Sequence, residues 1–320
     1  MIVDKSFGRL AMVAVACLTL GCGTELAAEG LEEAPAVKME FKETKTTHKA
    51  HAQLYRWYQL YERPITPERL AFQLQILDKD IELDMTYGKA QGHDQYLAGI
   101  AALSPTDKNA HHVLQSEAKE LDSETIAMET DVVYQNLKAD GTLSSNKLHY
   151  TMTLEEQESG LPIFTKIRVR LVEPDKGATF ADAYPESRTQ SFMHYWLLLM
   201  EGVGESAAPF QELLAQDGFT LHFTSGKEPI TTFEGLETWF SGVGGQIQKS
   251  SHIPKDLEVK VVSDDTFSVS VNFDWVGVAN DGSLMTAETH HEWILKDTQE
   301  RFLRMKEAKV TTIKPFQKVE

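Results

Sequence analysis

Thiol chemistry is nearly absent from this chain: of 320 residues only Cys17 and Cys22 are cysteines, and both lie at the extreme N-terminus. The body therefore has no pair to form a disulfide, and its stability must come from packed cores. Long hydrophobic runs are also missing. The longest, Leu10 to Leu20, falls short of the ~20 apolar residues a membrane-spanning helix requires. Basic charge is scarce, with 31 Lys and Arg against 48 Asp and Glu and a formal charge of −17. Such a surface repels phosphate backbones and offers no basic stripe, which excludes nucleic acid as a partner. No phosphate-cradling glycine loop, nucleophile elbow or dinucleotide fingerprint occurs. What the chain does have is 42% hydrophobic residues, enough to build two cores of ordinary size.

Lys5 and Arg9 precede the Leu10 to Leu20 run, the layout of a signal peptide over residues 1–21. The run ends in Leu18-Thr19-Leu20-Gly21-Cys22, which resembles the lipobox of bacterial lipoproteins, with Thr19 where Leu is usual. The resemblance implies lipidation of Cys22 and anchorage to a membrane through an N-terminal lipid. Gly23 in place of Asp implies the outer membrane, facing the periplasm. Release of a soluble periplasmic protein is the alternative. Residues 22–47 are poor in large apolar side chains and are expected to form a flexible tether.

Beyond the tether the chain repeats itself. Trp57 and Glu62 recur as Trp196 and Glu201, each 139 residues later, and further anchors follow in the same order. His112 matches His252, Asp140-Gly141 matches Asp281-Gly282, and His149 matches His290, with offsets of 140 or 141. Ordered anchors with small drifts mark a duplication with altered loops. The expected organisation is a first domain at 48–174, a linker at 175–188 around Pro174, Gly177 and Pro185, and a second domain at 189–320.

Within each copy, Leu54, Trp57, Tyr58 and Tyr61, or Met193, Trp196, Leu197 and Met200, are spaced as one face of a helix. Thr66-Pro67 starts a second helix. Ile81, Leu83 and Met85 then alternate with acidic residues, as a half-buried strand does. A third helix is expected over Tyr96–Leu103 and Leu236–Ile247. A strand meander closes the unit, with Asp-Gly hairpin turns. The fold class is α+β: two tandem cones, each a curved antiparallel sheet wrapped around about three helices. The aromatic first helix, the glycine turn before the third helix, the histidine at its exit and the terminal strands resemble the nuclear transport factor 2-like superfamily in its SnoaL-like branch, over about residues 47–314. That superfamily includes isomerases, cyclases, dehydratases and hydrolases that need no cofactor, and domains that only bind or assemble. Its members pair through their sheets, which implies an intramolecular pseudo-dimer and a monomeric protein.

Such a cone offers a mostly apolar pocket with a few inward polar groups. Catalytic candidates are His112, Asp131 and Tyr58, the first two as acid or base, the last as a phenol donor. Ligand-binding candidates are Trp57, Tyr61, His149, Trp196, His252 and His290. His112 and His252 have an equal claim as fasteners of helix to strand, and Tyr58 and Tyr61 as plain core aromatics. His290-His291-Glu292 suggests a metal, but adjacent strand residues face opposite ways, so no metal is expected and no cofactor either. Along the later strand Phe267, Val269, Val271, Phe273 and Trp275 form the apolar face, leaving Asn272 and Asp274 on the other. Because the polar candidates are mostly unmatched between copies, the expected function is binding of a small apolar ligand or an envelope protein without catalysis. The alternative is a SnoaL-like isomerase, cyclase or hydrolase acting in the first pocket.

Overall fold

In a computed structural model of the chain, the described residues are 35–158, 160–202, 204–224 and 228–319. The expected signal peptide, the lipidation site Cys22 and the first half of the tether lie outside them. The first half runs α1 (Pro35–Tyr61), α2 (Pro67–Leu74), β1 (Leu77–Met85), β2 (Gly88–Gln91), α3 (Gly92–Ala101), β3 (Lys108–Glu120), β4 (Thr125–Leu137), β5 (Leu143–Glu155) and β6 (Ile163–Pro174). The second runs α4 (Tyr184–Met200), a 3₁₀ turn (Ala208–Leu213), β7 (Thr220–His222), α5 (Phe233–Gly244), β8 (Ile247–Ser263), β9 (Thr266–Ala279), β10 (Leu284–Lys296) and β11 (Arg304–Lys318). The strand orders are β2-β1-β6-β5-β4-β3 and β7-β11-β10-β9-β8. In each, a four-strand antiparallel meander is completed by a short strand lying parallel to the last one. The fold is therefore α+β, one architecture built twice, with β2 as an addition to the first copy.

Local chemistry explains the element ends. Thr66 caps α2, its hydroxyl accepting from Arg69 N at 3.3 Å, and Pro67 enters the first turn where no N–H is needed. Thr232 does the same for α5, accepting from Gly235 N at 3.1 Å. Both Asp-Gly turns place the glycine at positive φ, +86° at Gly141 and +81° at Gly282, where a Cβ would be strained. The preceding aspartates accept from Thr142 N and Ser283 N.

Two boundaries differ from expectation. α1 begins at Pro35, inside the stretch read as tether, and Phe41 and Thr46 are buried. Thr44 and Ser251 of β8 share a hydrogen bond between their hydroxyls at 2.9 Å, and Lys42 pairs with Glu120 at 2.8 Å. This part of the helix is held by long-range partners, which composition alone does not reveal. α4 begins at Tyr184, so the last residues of the expected linker are helical. The third helices also end earlier than expected, and Ile247 already belongs to β8.

Each half has its own apolar core. The first centres on Leu54, Trp57, Tyr58 and Phe164, the second on Phe192, Trp196, Phe210, Phe273 and Trp293. Between the halves α1 packs on α4. At the crossing Ser191 Oγ donates to the carbonyl of Ala52, its counterpart 139 residues earlier, at 3.0 Å.

Candidate functional site in the first half

β4 and β9 begin 141 residues apart, as do β5 and β10, so the two interiors can be compared position by position. In the first half a cavity of about 250 Å³ opens between α1, β3, β4, β5 and β6. Trp57, Tyr61, Leu148, Tyr150 and Val169 form its apolar wall, and Asn109, His111, Tyr134 and Asn136 supply its polar groups. Its size is a little below the ~300–1,000 Å³ usual for ligand pockets.

The polar wall is a connected network. Tyr134 donates to Asn109 Oδ1 at 2.7 Å and Asn136 Nδ2 donates to the same oxygen at 2.9 Å, while Asn109 Nδ2 donates to the Tyr61 carbonyl at 3.1 Å. The Tyr61 and Tyr96 hydroxyls lie 3.0 Å apart. Burial raises the tyrosine pKa values, that of Tyr134 to about 12, so these phenols stay neutral hydrogen-bonding groups.

His111 is the wall's most reactive group. Glu62 Oε1, at the end of α1, accepts from His111 N at 3.0 Å, from His111 Nδ1 at 3.2 Å and from Ser187 Oγ at 3.3 Å. A carboxylate only accepts, so Nδ1 is the donor to Glu62, and in the neutral ring Nε2 is then the acceptor. The ring lies parallel to Tyr58 at 4.6 Å and is tilted against Tyr134 at 5.1 Å. An imidazole fixed by a buried carboxylate in a pocket wall can meet a ligand's polar group there.

The second half repeats the fastener with a different set of side chains around it. Glu201 Oε1 accepts from His252 N at 2.6 Å and from His252 Nδ1 at 3.4 Å. The counterpart of His252 is therefore His111 and not the expected His112. Inside, Tyr134 is replaced by Trp275, Asn136 by Gly277, Tyr150 by His291 and Tyr61 by Met200. The Trp275 indole lies against the backbone of Gly277, where a Cβ would come within 2.3 Å of the ring. Its other side meets Phe316 edge-on at 4.9 Å, and Phe223 stacks on Trp239 at 4.0 Å.

The sequence-derived residues divide accordingly. Trp57 and Tyr61 line the cavity. Tyr58 lies beneath it in the core, its hydroxyl buried with no partner. Asp131 and His149 do meet, Nδ1 donating to Oδ1 at 2.7 Å, but on the outer face of the sheet, where Gln115 also binds Asp131. His112 pairs across to Val133 on that same outer face, its Nε2 buried without a partner. The proposed trio of His112, Asp131 and Tyr58 therefore does not converge. Trp196 packs in the second core against Phe192 and Phe210. His290 bonds Asn272 Oδ1 at 2.8 Å on the outer face of the second sheet. His291 points the other way, to the Thr289 hydroxyl at 3.1 Å. Among the described residues no group of three or more His, Cys, Asp or Glu is placed to hold a metal ion.

No protein-family model matches the chain, and no curated protein does. Solved structures are similar to it over less than half of its length. An NTF2-like protein with a cystatin-like fold from Novosphingobium aromaticivorans is 14% identical, with a TM-score of 0.37, covering 48% of this chain and 98% of its own. A proposed aromatic ring hydroxylase from the same organism is 16% identical, with a TM-score of 0.39, covering 44% and 96%. A hexachlorocyclohexane dehydrochlorinase, LinA type 2, is 10% identical, with a TM-score of 0.37, covering 42% and 88%. The first of these is an NTF2-like protein by name, and likeness at this level says nothing of activity.

Proposed function

We propose that the chain is a lipid-anchored protein of the bacterial envelope whose first half binds a small, mostly apolar molecule bearing at least one polar group, without converting it. One observation carries this reading: the first half keeps an aromatic-walled cavity of about 250 Å³ with a satisfied polar network, while aromatic side chains pack the matching region of the second. The cavity suits a one- or two-ring ligand, whose faces would stack on Trp57 and Tyr150 and whose polar group would meet Asn136 or His111 Nε2. The leader and Cys22 support the anchorage, and the duplicated body supports a monomer with an internal pseudo-dimer.

A second reading rests on the His111–Glu62 pair. If the ligand carries an acidic C–H beside a leaving group or carbonyl, His111 Nε2 is positioned to remove the proton, with Glu62 stabilising the resulting imidazolium. The pair's recurrence as His252–Glu201, among different surrounding side chains, supports a fastening role and so favours binding. Titrating the lipid-free protein with a panel of phenols, indoles and small cyclic ketones, read by intrinsic fluorescence and by mass spectrometry of the recovered ligand, tests both. Saturable binding with unchanged ligand supports the first reading, turnover lost in His111→Gln supports the second, and no binding across the panel refutes both.

A further inference from the structure

A second feature sits between the halves, lined by other residues of α1 than the aromatic cavity. Arg56, Arg69, Arg188 and Arg301 line a small cavity of about 20 Å³ that also touches Gln59, Tyr184 and Glu300. Such a volume admits one or two water-sized groups. Three carboxylates serve this region, and each already has an arginine. Asp297 accepts from Arg188 at 3.0 Å, Glu212 accepts from Arg301 Nε at 3.0 Å, and Glu300 pairs with Arg304. Arg56 and Arg69 are hydrogen-bonded to no carboxylate among the described residues, although Glu212 acts on Arg56 and Asp297 on Arg69 from further away. Arg56 donates to Gln53 Oε1 and the Phe72 carbonyl, at 2.9 and 3.0 Å, and Arg69 donates to the backbone carbonyls of Gln59, Leu60 and Pro64. Arg188 Nε is buried with no acceptor at all.

The local balance is thus five guanidinium groups against three carboxylates, in a chain of net charge −17. Burying unpaired positive charge is costly. At Arg56 the pKa is pushed down to about 9, mainly by burial and then by Arg301 and Arg188, against the opposing pull of Glu212. An arginine also presents flat, directional donors suited to anions.

We propose that this cavity between the halves is a binding site for one small monovalent anion, a halide or a carboxylate group, held by Arg56 and Arg188 and clamping α1 to α4. Binding to the folded state alone raises the melting midpoint in a saturable way. Adding chloride, bromide or acetate at constant ionic strength against the bulky sulfonate HEPES is expected to raise it by roughly 2–4 °C. A shift with halides alone identifies a halide site, and a shift with acetate as well identifies a carboxylate site. The decisive variant is Gln59→Glu, nearly isosteric, because Gln59 Oε1 already accepts from Arg188 Nη1 at 3.0 Å. It supplies an internal carboxylate, so the midpoint in HEPES rises and the anion response disappears. Bromide-soaked crystals should show anomalous density beside Arg56 and Arg188. No anion-specific shift in the native protein, or a full shift retained in Gln59→Glu, overturns the proposal.

Discussion

Acid should destabilise this protein well above the pH at which carboxylates titrate. His51 and His291 are buried and held neutral. Burial is the main cause, and it lowers their pKa values from 6.5 to about 4 and about 3, helped at His51 by His48 and at His291 by His252 and His290. His194 is lowered too, by burial and then by His51 and His48. A histidine with a depressed folded pKa takes its proton first in the unfolded chain. Its contribution is complete above pH 6.5 and is lost as pH falls toward the folded value. Between pH 7.5 and 5 the loss is about 2 kcal/mol for each of His51 and His291. His194 acts in the same direction. A combined loss of ~4 kcal/mol or more is a large part of the 5–15 kcal/mol typical of folded proteins. Glu201, held below the usual carboxylate range because bonds from His252 and His48 outweigh burial, titrates later and does not mask the effect. The assay is urea unfolding at the two pH values, with an expected midpoint drop of roughly 1 M or more. His291→Gln should remove one proton's share of the drop, while His222→Gln, on an exposed residue, should leave it intact. Equal midpoints at both pH values, or a full drop in His291→Gln, would refute the reasoning.

Three further outcomes follow from the geometry. Glu62→Ala strands the His111 N–H and Nδ1–H and should cost about 3–5 kcal/mol, whereas Glu62→Gln keeps an acceptor and should cost about 1–2 kcal/mol, both by chemical denaturation. Asp131→Asn copies what Asn272 already does in the second half, so ligand affinity should stay unchanged and stability should move by no more than ~0.5 kcal/mol. Replacing Tyr134 by Trp and Asn136 by Gly reproduces the Trp275–Gly277 arrangement and should abolish ligand binding while the protein still unfolds cooperatively.

The duplication and the strand meander were legible because they rest on local signals. Asp-Gly turns fix hairpin positions, and alternation fixes faces, so the inward set Phe267, Val269, Val271, Phe273 and Trp275 is as the sequence implies. The site was less legible because it depends on register. His111 and His112 are neighbours, and only strand register decides which faces inward. Irregular pairing near Val113 and between Ile247 and Lys249 disturbs any count made through the preceding loops. Counting outward from Glu62 and Glu201 would have given the same ambiguity. The Asp131–His149 pair, by contrast, was recoverable: the two residues are equidistant from Asp140, the centre of their hairpin, and so must oppose each other. The asymmetry of the two interiors had a signal as well, since Gly277 stands where the first copy has Asn136. How Trp275 uses the space that glycine leaves is a matter of side-chain packing, which no spacing rule conveys.

The central claim is that one half holds a ligand and the other does not. Crystals of the lipid-free protein soaked with indole and with p-cresol test it directly. The account predicts ligand density between Trp57, Tyr134 and Tyr150 and none beside Trp275, with the first density lost in the Tyr134→Trp, Asn136→Gly variant. Ligand in the second half, or in neither, would contradict it.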